Sequence, residues 1–185
     1  KAEQIRLSPD SLTGVLYRRY SLAQSGSILR ARAGSILRAC FHHNPSSVDW
    51  APSWSPDGSR IVFSSIREEN DDATATDIYV MNADGTDPVN ITNLRGWEFD
   101  PVWSPDGSKI VYFTIGPMYI ASVDGSSRSA LGFGKWPDWS PDGSRIVYSV
   151  DDDIIIVNVD GTGIFNFTNN PASSDVWPSW APIIE

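Results

Sequence analysis

The chain is poor in the residues that carry most redox and metal chemistry. Its 185 residues include one cysteine, two histidines and two methionines. A lone Cys40 excludes an internal disulfide and leaves the redox compartment open. No run approaches the roughly 18 consecutive apolar residues of a spanning helix, so no membrane span is expected. Basic groups are scarce as well, 14 against 23 acidic, and the net charge of −9 argues against a nucleic-acid partner. A Gly-x-Ser-x-Gly elbow, a His-Glu-x-x-His pair and a phosphate-binding glycine loop are all missing. The chain is therefore read as a non-enzyme with no resident cofactor.

The charge is unevenly spread. Residues 1–48 hold seven basic and two acidic groups, a net of +5, and the other 137 residues hold a net of −14. Opposed charges of this kind invite contact between the two parts, within one molecule or between neighbours.

What the sequence has in plenty is repetition. Trp54-Ser55-Pro56-Asp57-Gly58-Ser59-Arg60-Ile61-Val62 returns from Trp103 and again from Trp139, and a clipped copy closes at Trp180-Ala181-Pro182. The tryptophans stand 49, 36 and 41 residues apart. A period near 40 to 45 residues is that of a four-stranded propeller blade.

Each unit follows one order. A short strand carrying the Trp runs into Asp-Gly, which favours a tight turn because Gly accepts positive φ and Asp bonds its own backbone. Second strands follow at 60–64, 109–113 and 145–149, and third strands at 77–81, 118–121 and 154–157. They are apolar on both faces, so both faces must be covered. Each third strand leads to another Asp-Gly and a weaker fourth strand. Pro52, Pro101, Pro137 and Pro178 stand two residues before their Trp. Proline lacks a ladder donor, which assigns this strand to a sheet edge, the innermost one of a blade.

Residues 1–48 look least like the rest. Their Ser, Arg and Leu richness is compatible with a transit peptide; the alternative is a worn blade. In the blade reading Leu7-Ser8-Pro9-Asp10 replaces Trp-Ser-Pro-Asp, Val15–Tyr20 is a strand, and the near-copies 26–31 and 34–39 are two more. A pair of amphipathic helices is the rival for that octad. The expected fold is all-β: a β-propeller of four blade units, one a composite joining the N-terminal strands to the C-terminal strand. One domain then fills 1–185. It comprises a degenerate basic blade over 1–48, blades over 49–96, 97–134 and 135–170, and a closing strand over 171–185. Pairing of the same ends between chains would give a larger ring or an open polymer.

These units resemble the repeats of TolB and its relatives. Residues 52–93 carry the likeness best, through Pro52-Ser53-Trp54-Ser55-Pro56-Asp57-Gly58, Ile78-Tyr79-Val80-Met81-Asn82-Ala83-Asp84-Gly85 and Ile91-Thr92. The resemblance implies a secreted, periplasmic or extracellular protein that binds partner proteins. Similar propellers also accompany peptidases and carbohydrate-active proteins. TolB itself has six blades and a separate α/β domain, for which 185 residues leave no room, so its own role does not transfer.

In such a fold the crossover loops and the loops between second and third strands open on one face. That face is expected to collect Asp49, Trp50, Trp97, Glu98, Asp100, Lys135, Trp136, Asp175 and Trp177, together with the acidic runs 67–72 and 151–153. Trp among carboxylates suits protein partners, a second copy, cationic groups or, as an alternative, glycans in a lectin-like propeller. Trp54, Trp103, Trp139 and Trp180 are assigned to the core between blades. Asp49, Glu98 and Asp175 share one register and are candidates for a hard divalent cation such as calcium. Cys40, His42 and His43 are weaker candidates for a soft metal. Asn90-Ile91-Thr92 and Asn166-Phe167-Thr168 are glycosylation sequons at equivalent points of two units.

Overall fold

A computed structural model describes residues 5–6, 28–30, 36–38, 48–66, 75–94, 96–169 and 172–181, with side chains from residue 48 onward. Among these residues there is no α-helix, and none of their segments is a helix long and apolar enough to cross a membrane. The strands are β1 (Ile5–Arg6), β2 (Ile28–Arg30), β3 (Ile36–Arg38), β4 (Val48–Trp54), β5 (Arg60–Ile66), β6 (Asp77–Asn82), β7 (Val89–Asn90) and β8 (Glu98–Trp103). They continue as β9 (Lys109–Thr114), β10 (Pro117–Ser122), β11 (Arg128–Phe133), β12 (Lys135–Trp139), β13 (Arg145–Val150), β14 (Asp153–Asn158), β15 (Phe165–Asn166) and β16 (Ser179–Trp180). Three antiparallel sheets of four follow chain order, β4 to β7, β8 to β11 and β12 to β15.

The chain divides into two compact units, Lys1–Thr13 with Val102–Glu185, and Gly14–Pro101, the boundary falling within β8. The expected second and third strands of every repeat are present. The fourth strands differ from one another: β7 and β15 are two residues long, whereas β11 has six. The octad forms strands, not helices, since β2 and β3 pair antiparallel from Ile28↔Arg38 to Arg30↔Ile36. The strand expected at Val15–Tyr20 and the stretch Leu7-Ser8 lie outside the described residues. Instead, β1 joins the closing strand, with Ile5 opposite Trp180 and Arg6 opposite Ser179.

The middle strands contain Ile, Val, Phe and Tyr, which suit a pleated surface, and Ile61–Ser65, Ile110–Phe113 and Ile146–Ser149 are buried without a break. Burial on both faces follows from packing on each side. In the larger unit, Trp139 on β12 sends its indole N–H to the Val102 carbonyl on β8, at 3.1 Å. Trp180 buries itself against Val147, Ile154 and Ile156. Trp103, Trp139 and Trp180 are all buried. Trp54 is only partly so and lies on the cluster Ile61, Phe63, Tyr79 and Met81.

The repeated turn is closed by its own side chains. Ser55 Oγ donates to Asp57 at 2.6 Å and accepts the Arg60 N–H at 2.9 Å, while Asp57 also accepts the Ser59 N–H and hydroxyl. The Gly58 N–H donates to the Ser55 carbonyl, which puts Pro56 and Asp57 at the turn centre and leaves Gly58 after it, at φ +72°. The same bonds recur at Ser104/Asp106/Ser108 and Ser140/Asp142/Ser144. The turns before the fourth strands use a related scheme around Asp84, Asp124 and Asp160.

Hydrogen bonds donated by Ser55 and Ser59 hold the Asp57 carboxyl down at about 2, and those from Ser122 and Ser126 do the same for Asp124. Asp84, Asp106, Asp142 and Asp160 are lowered by equivalent donors. A depressed carboxyl stabilises the fold above its ordinary value near 3.8, and that contribution is lost as the pH falls towards about 2. Melting temperatures measured from pH 5 down to pH 2 should therefore drop most steeply below pH 4. An Asp57→Asn/Asp106→Asn/Asp142→Asn variant should show a flatter profile; an unchanged slope would contradict the role of the turns.

Candidate functional site

The residue before each repeat proline is left-handed. Ala51, Asp100, Trp136 and Trp177 have φ of 49°, 47°, 54° and 55°. Two of these positions lie in bulges: Ala51-Pro52 oppose Phe63 alone, between the pairs Trp50↔Ser64 and Ser53↔Val62, and Trp136-Pro137 oppose Tyr148 alone. The prolines lie on edge strands β4, β8 and β12, as a missing ladder donor requires, and Pro178 directly precedes β16. The bulge takes its two residues out of the ladder just ahead of the Trp, while Val48–Trp50 and Lys135 upstream of it remain paired.

In the larger unit this geometry brings several expected residues together. The rings of Trp136 and Trp177 meet at 4.9 Å, tilted by 50°, and both side chains are half-buried. The Lys135 ammonium stands 6.0 Å over Trp136. The acidic run resolves into two parts. Asp151 and Asp152 make a two-residue hairpin with both φ positive, the type I′ arrangement, while Asp153 opens β14. The loop before β16 follows this turn, because the Asp175 N–H donates to the Asp152 carbonyl at 2.7 Å and Ser174 Oγ to the Asp152 carboxylate at 2.8 Å. Asp175 itself accepts Ser173 Oγ. Asp138 then clamps the closing strand, accepting Ser179 Oγ at 3.0 Å and the Trp180 N–H at 2.9 Å, and Arg145 covers the Trp180 ring at 5.4 Å.

In the smaller unit the crossover also meets the start of the third strand. Thr76 and Trp97 form a parallel bridge, flanked by Thr76 N–H to the Gly96 carbonyl and Glu98 N–H to the Thr76 carbonyl, each at 3.1 Å. Trp97 is 49% exposed and meets Phe99 edge-on at 6.2 Å. Trp50 is half-buried with its indole N–H enclosed. Asp100 is half-buried at the left-handed position before Pro101. Asp49 accepts Ser65 Oγ at 2.6 Å.

Glu98 corrects the sequence reading. It was expected on an open face with Asp49 and Asp175, yet it is buried at 2% exposure beside Thr92. The close approach of Gly96 allows this, since a Cβ there would stand 2.8 Å from the Glu98 carboxylate. Among the described residues no group of three or more His, Cys, Asp or Glu is arranged to hold a metal ion. Cys40, His42 and His43 lie outside the described residues, as does the run 67–72.

The sequons belong to a network that sequence reasoning missed. Asn90 donates to Asp77 at 2.9 Å and its carbonyl accepts the Thr92 and Asn93 N–H groups. Thr92 Oγ1 accepts the Ile78 N–H and donates to Asp77. Asp153, Asn166 and Thr168 repeat this arrangement on β14 and β15. The available signal was an Asp placed 13 residues before each Asn-x-Thr.

Two substitutions test these contacts. Asp138→Ala should destabilise the protein by about 1–3 kcal/mol and speed hydrogen exchange at the Trp180 amide; unchanged exchange would remove the clamp. Thr92→Ala, made in a host that does not glycosylate, should cost about 1–3 kcal/mol, and Thr92→Ser less than Thr92→Ala. Equal stabilities would leave the triplet without a structural role.

Comparison with known proteins bears on the whole arrangement. The family model described as the TolB beta propeller domain matches residues 37–182. No curated protein matches. TolB from Acinetobacter baumannii is similar in structure at a TM-score of 0.61 and 20% identity, over 82% of this chain and 39% of that one. A chain of a nidogen/laminin complex aligns at 0.57 and 16% identity, over 75% of this chain and 56% of that one. An oligogalacturonate lyase in complex with manganese aligns at 0.51 and 17% identity, over 66% and 42%. The chain thus spans about two fifths to three fifths of the length of these structures, and at such identities the likeness is one of fold. The repeated blade and the match over 37–182 together make this chain a member of the TolB β-propeller family.

Proposed function

We propose that the chain is a non-catalytic binding and assembly module, located outside the cytoplasm, whose partner is protein and, in the first place, a second copy of itself. The observation that carries this reading is the division of charge. A net of +5 over residues 1–48 faces a net of −14 over the remainder, a difference that attracts like copies to one another in a head-to-tail sense. The fold supports it, because Trp97, Trp136 and Trp177 stay outside the fully buried set, and aromatic side chains so placed serve as anchors of protein contacts. None of the catalytic signatures sought in the sequence is present.

Light scattering over a range of protein concentrations decides the matter. At low ionic strength the protein should form an oligomer, and in 1 M salt, where charges are screened beyond about 3 Å, it should dissociate. A monomer at every concentration in low salt overturns self-association.

A further inference from the structure

The position before the repeat proline has one backbone conformation and no fixed side chain. Its φ lies between 47° and 55° in all four copies, while its occupant is Ala51, Asp100, Trp136 or Trp177. A left-handed conformation strains a non-glycine residue, and glycine would relieve it. Glycine occupies none of the four positions. Packing does not dictate the choice either, since Ala and Trp occupy equivalent places. The fold holds this position and leaves the side chain free to be selected for contact.

In the larger unit the selected pair is Trp136 with Trp177. Rings elsewhere in this unit are capped by the chain's own cations, Tyr119 by Arg128 at 5.1 Å, Trp180 by Arg145 at 5.4 Å and Trp136 by Lys135 at 6.0 Å. Among the residues from 48 onward, whose side chains are described, none caps Trp177. Its loop is tied to the hairpin that exposes Asp151 and Asp152, so carboxylates flank its loop, while Lys135 lies on the side of Trp136. An indole face beside carboxylates suits a guanidinium, which stacks on the ring while the acids offset its charge. The complementary groups occur in this same sequence: Arg6, Arg18, Arg19, Arg30, Arg32 and Arg38 supply six of the seven basic residues before position 49.

We infer that Trp177, backed by Trp136 and the Asp151–Asp152 turn, is the site that receives an arginine from the basic N-terminal segment of a second copy. This inference rests on the self-association reading and assigns it a contact. The probe is a synthetic peptide of residues 26–39, which holds Arg30, Arg32 and Arg38, titrated into the full chain with tryptophan fluorescence as readout. The arginine peptide should bind at least about tenfold more tightly than the same peptide with citrulline at all three positions. Trp177→Ala should lose about tenfold in affinity for the arginine peptide, Trp177→Phe should lose less, and Asp151→Asn should weaken binding with the ring intact. Trp177→Ala should also raise the concentration at which the oligomer forms.

Equal binding of the arginine and citrulline peptides, or binding of oligosaccharides in place of either, overturns the inference. An oligomer unaffected by Trp177→Phe and Asp151→Asn also overturns it and leaves the assembly reading standing. A parent protein that never associates removes the assembly reading, and the two peptides then decide the Trp177 site by themselves.

Discussion

A strand buried on both faces has to be covered twice. Ile110, Val111 and Tyr112 on β9 and Ile146, Val147 and Tyr148 on β13 have almost no exposed surface, and a single sheet cannot provide that for itself. Neighbouring sheets must therefore meet, and in the larger unit a tryptophan makes the junction. Trp139 reaches from β12 to the Val102 carbonyl on β8, and Trp180 covers the next sheet from outside it. The indole supplies a wide apolar surface and one donor, which suits a contact between a buried side chain and a backbone carbonyl. Most of the repeat serves to place this ring.

The proline two residues earlier and the turn after it define the ring's position from both sides. Proline confines the strand to an edge, and the bulge turns the chain out of the ladder at the preceding residue. The Ser-Pro-Asp-Gly-Ser turn ties its carboxylate to two serines, so its geometry is set within five residues. Between these two restraints the buried Trp has little freedom. Upstream of the proline the restraint ends, and there Ala, Asp and Trp occupy one conformation. The same short stretch thus contains the most determined position of the repeat and the least determined one.

The acidic residues divide in a similar way. Asp57, Asp106 and Asp142 close turns, and Asp77 and Asp153 accept the amide and hydroxyl of an Asn-x-Thr triplet. Glu98 is buried beside Thr92. The carboxylates left towards solvent in the larger unit include Asp151 and Asp152, on a hairpin where positive φ suits Asp and Asn better than most residues. An acidic composition is therefore partly a structural one, and the charge available to a partner is smaller than a count of residues implies.

The family, the strands and the turns were legible in the sequence, because each depends on contacts within a few residues. Turn chemistry, proline's missing donor and apolar runs act locally, and a repeat displays them several times. The pairing of β1 with β16 was legible only in outline: the clipped copy at Trp180 needed a partner, but its identity as Ile5–Arg6 depends on residues more than 170 positions away. The left-handed residue before each proline was not legible, since the residue before a proline ordinarily favours extended backbone, and the folded structure overrides that preference. Burial of Glu98, the Asp138 clamp and the contact of Trp136 with Trp177 were likewise decided by tertiary structure. Each joins side chains from separate strands or loops, and a linear pattern carries no distance between them.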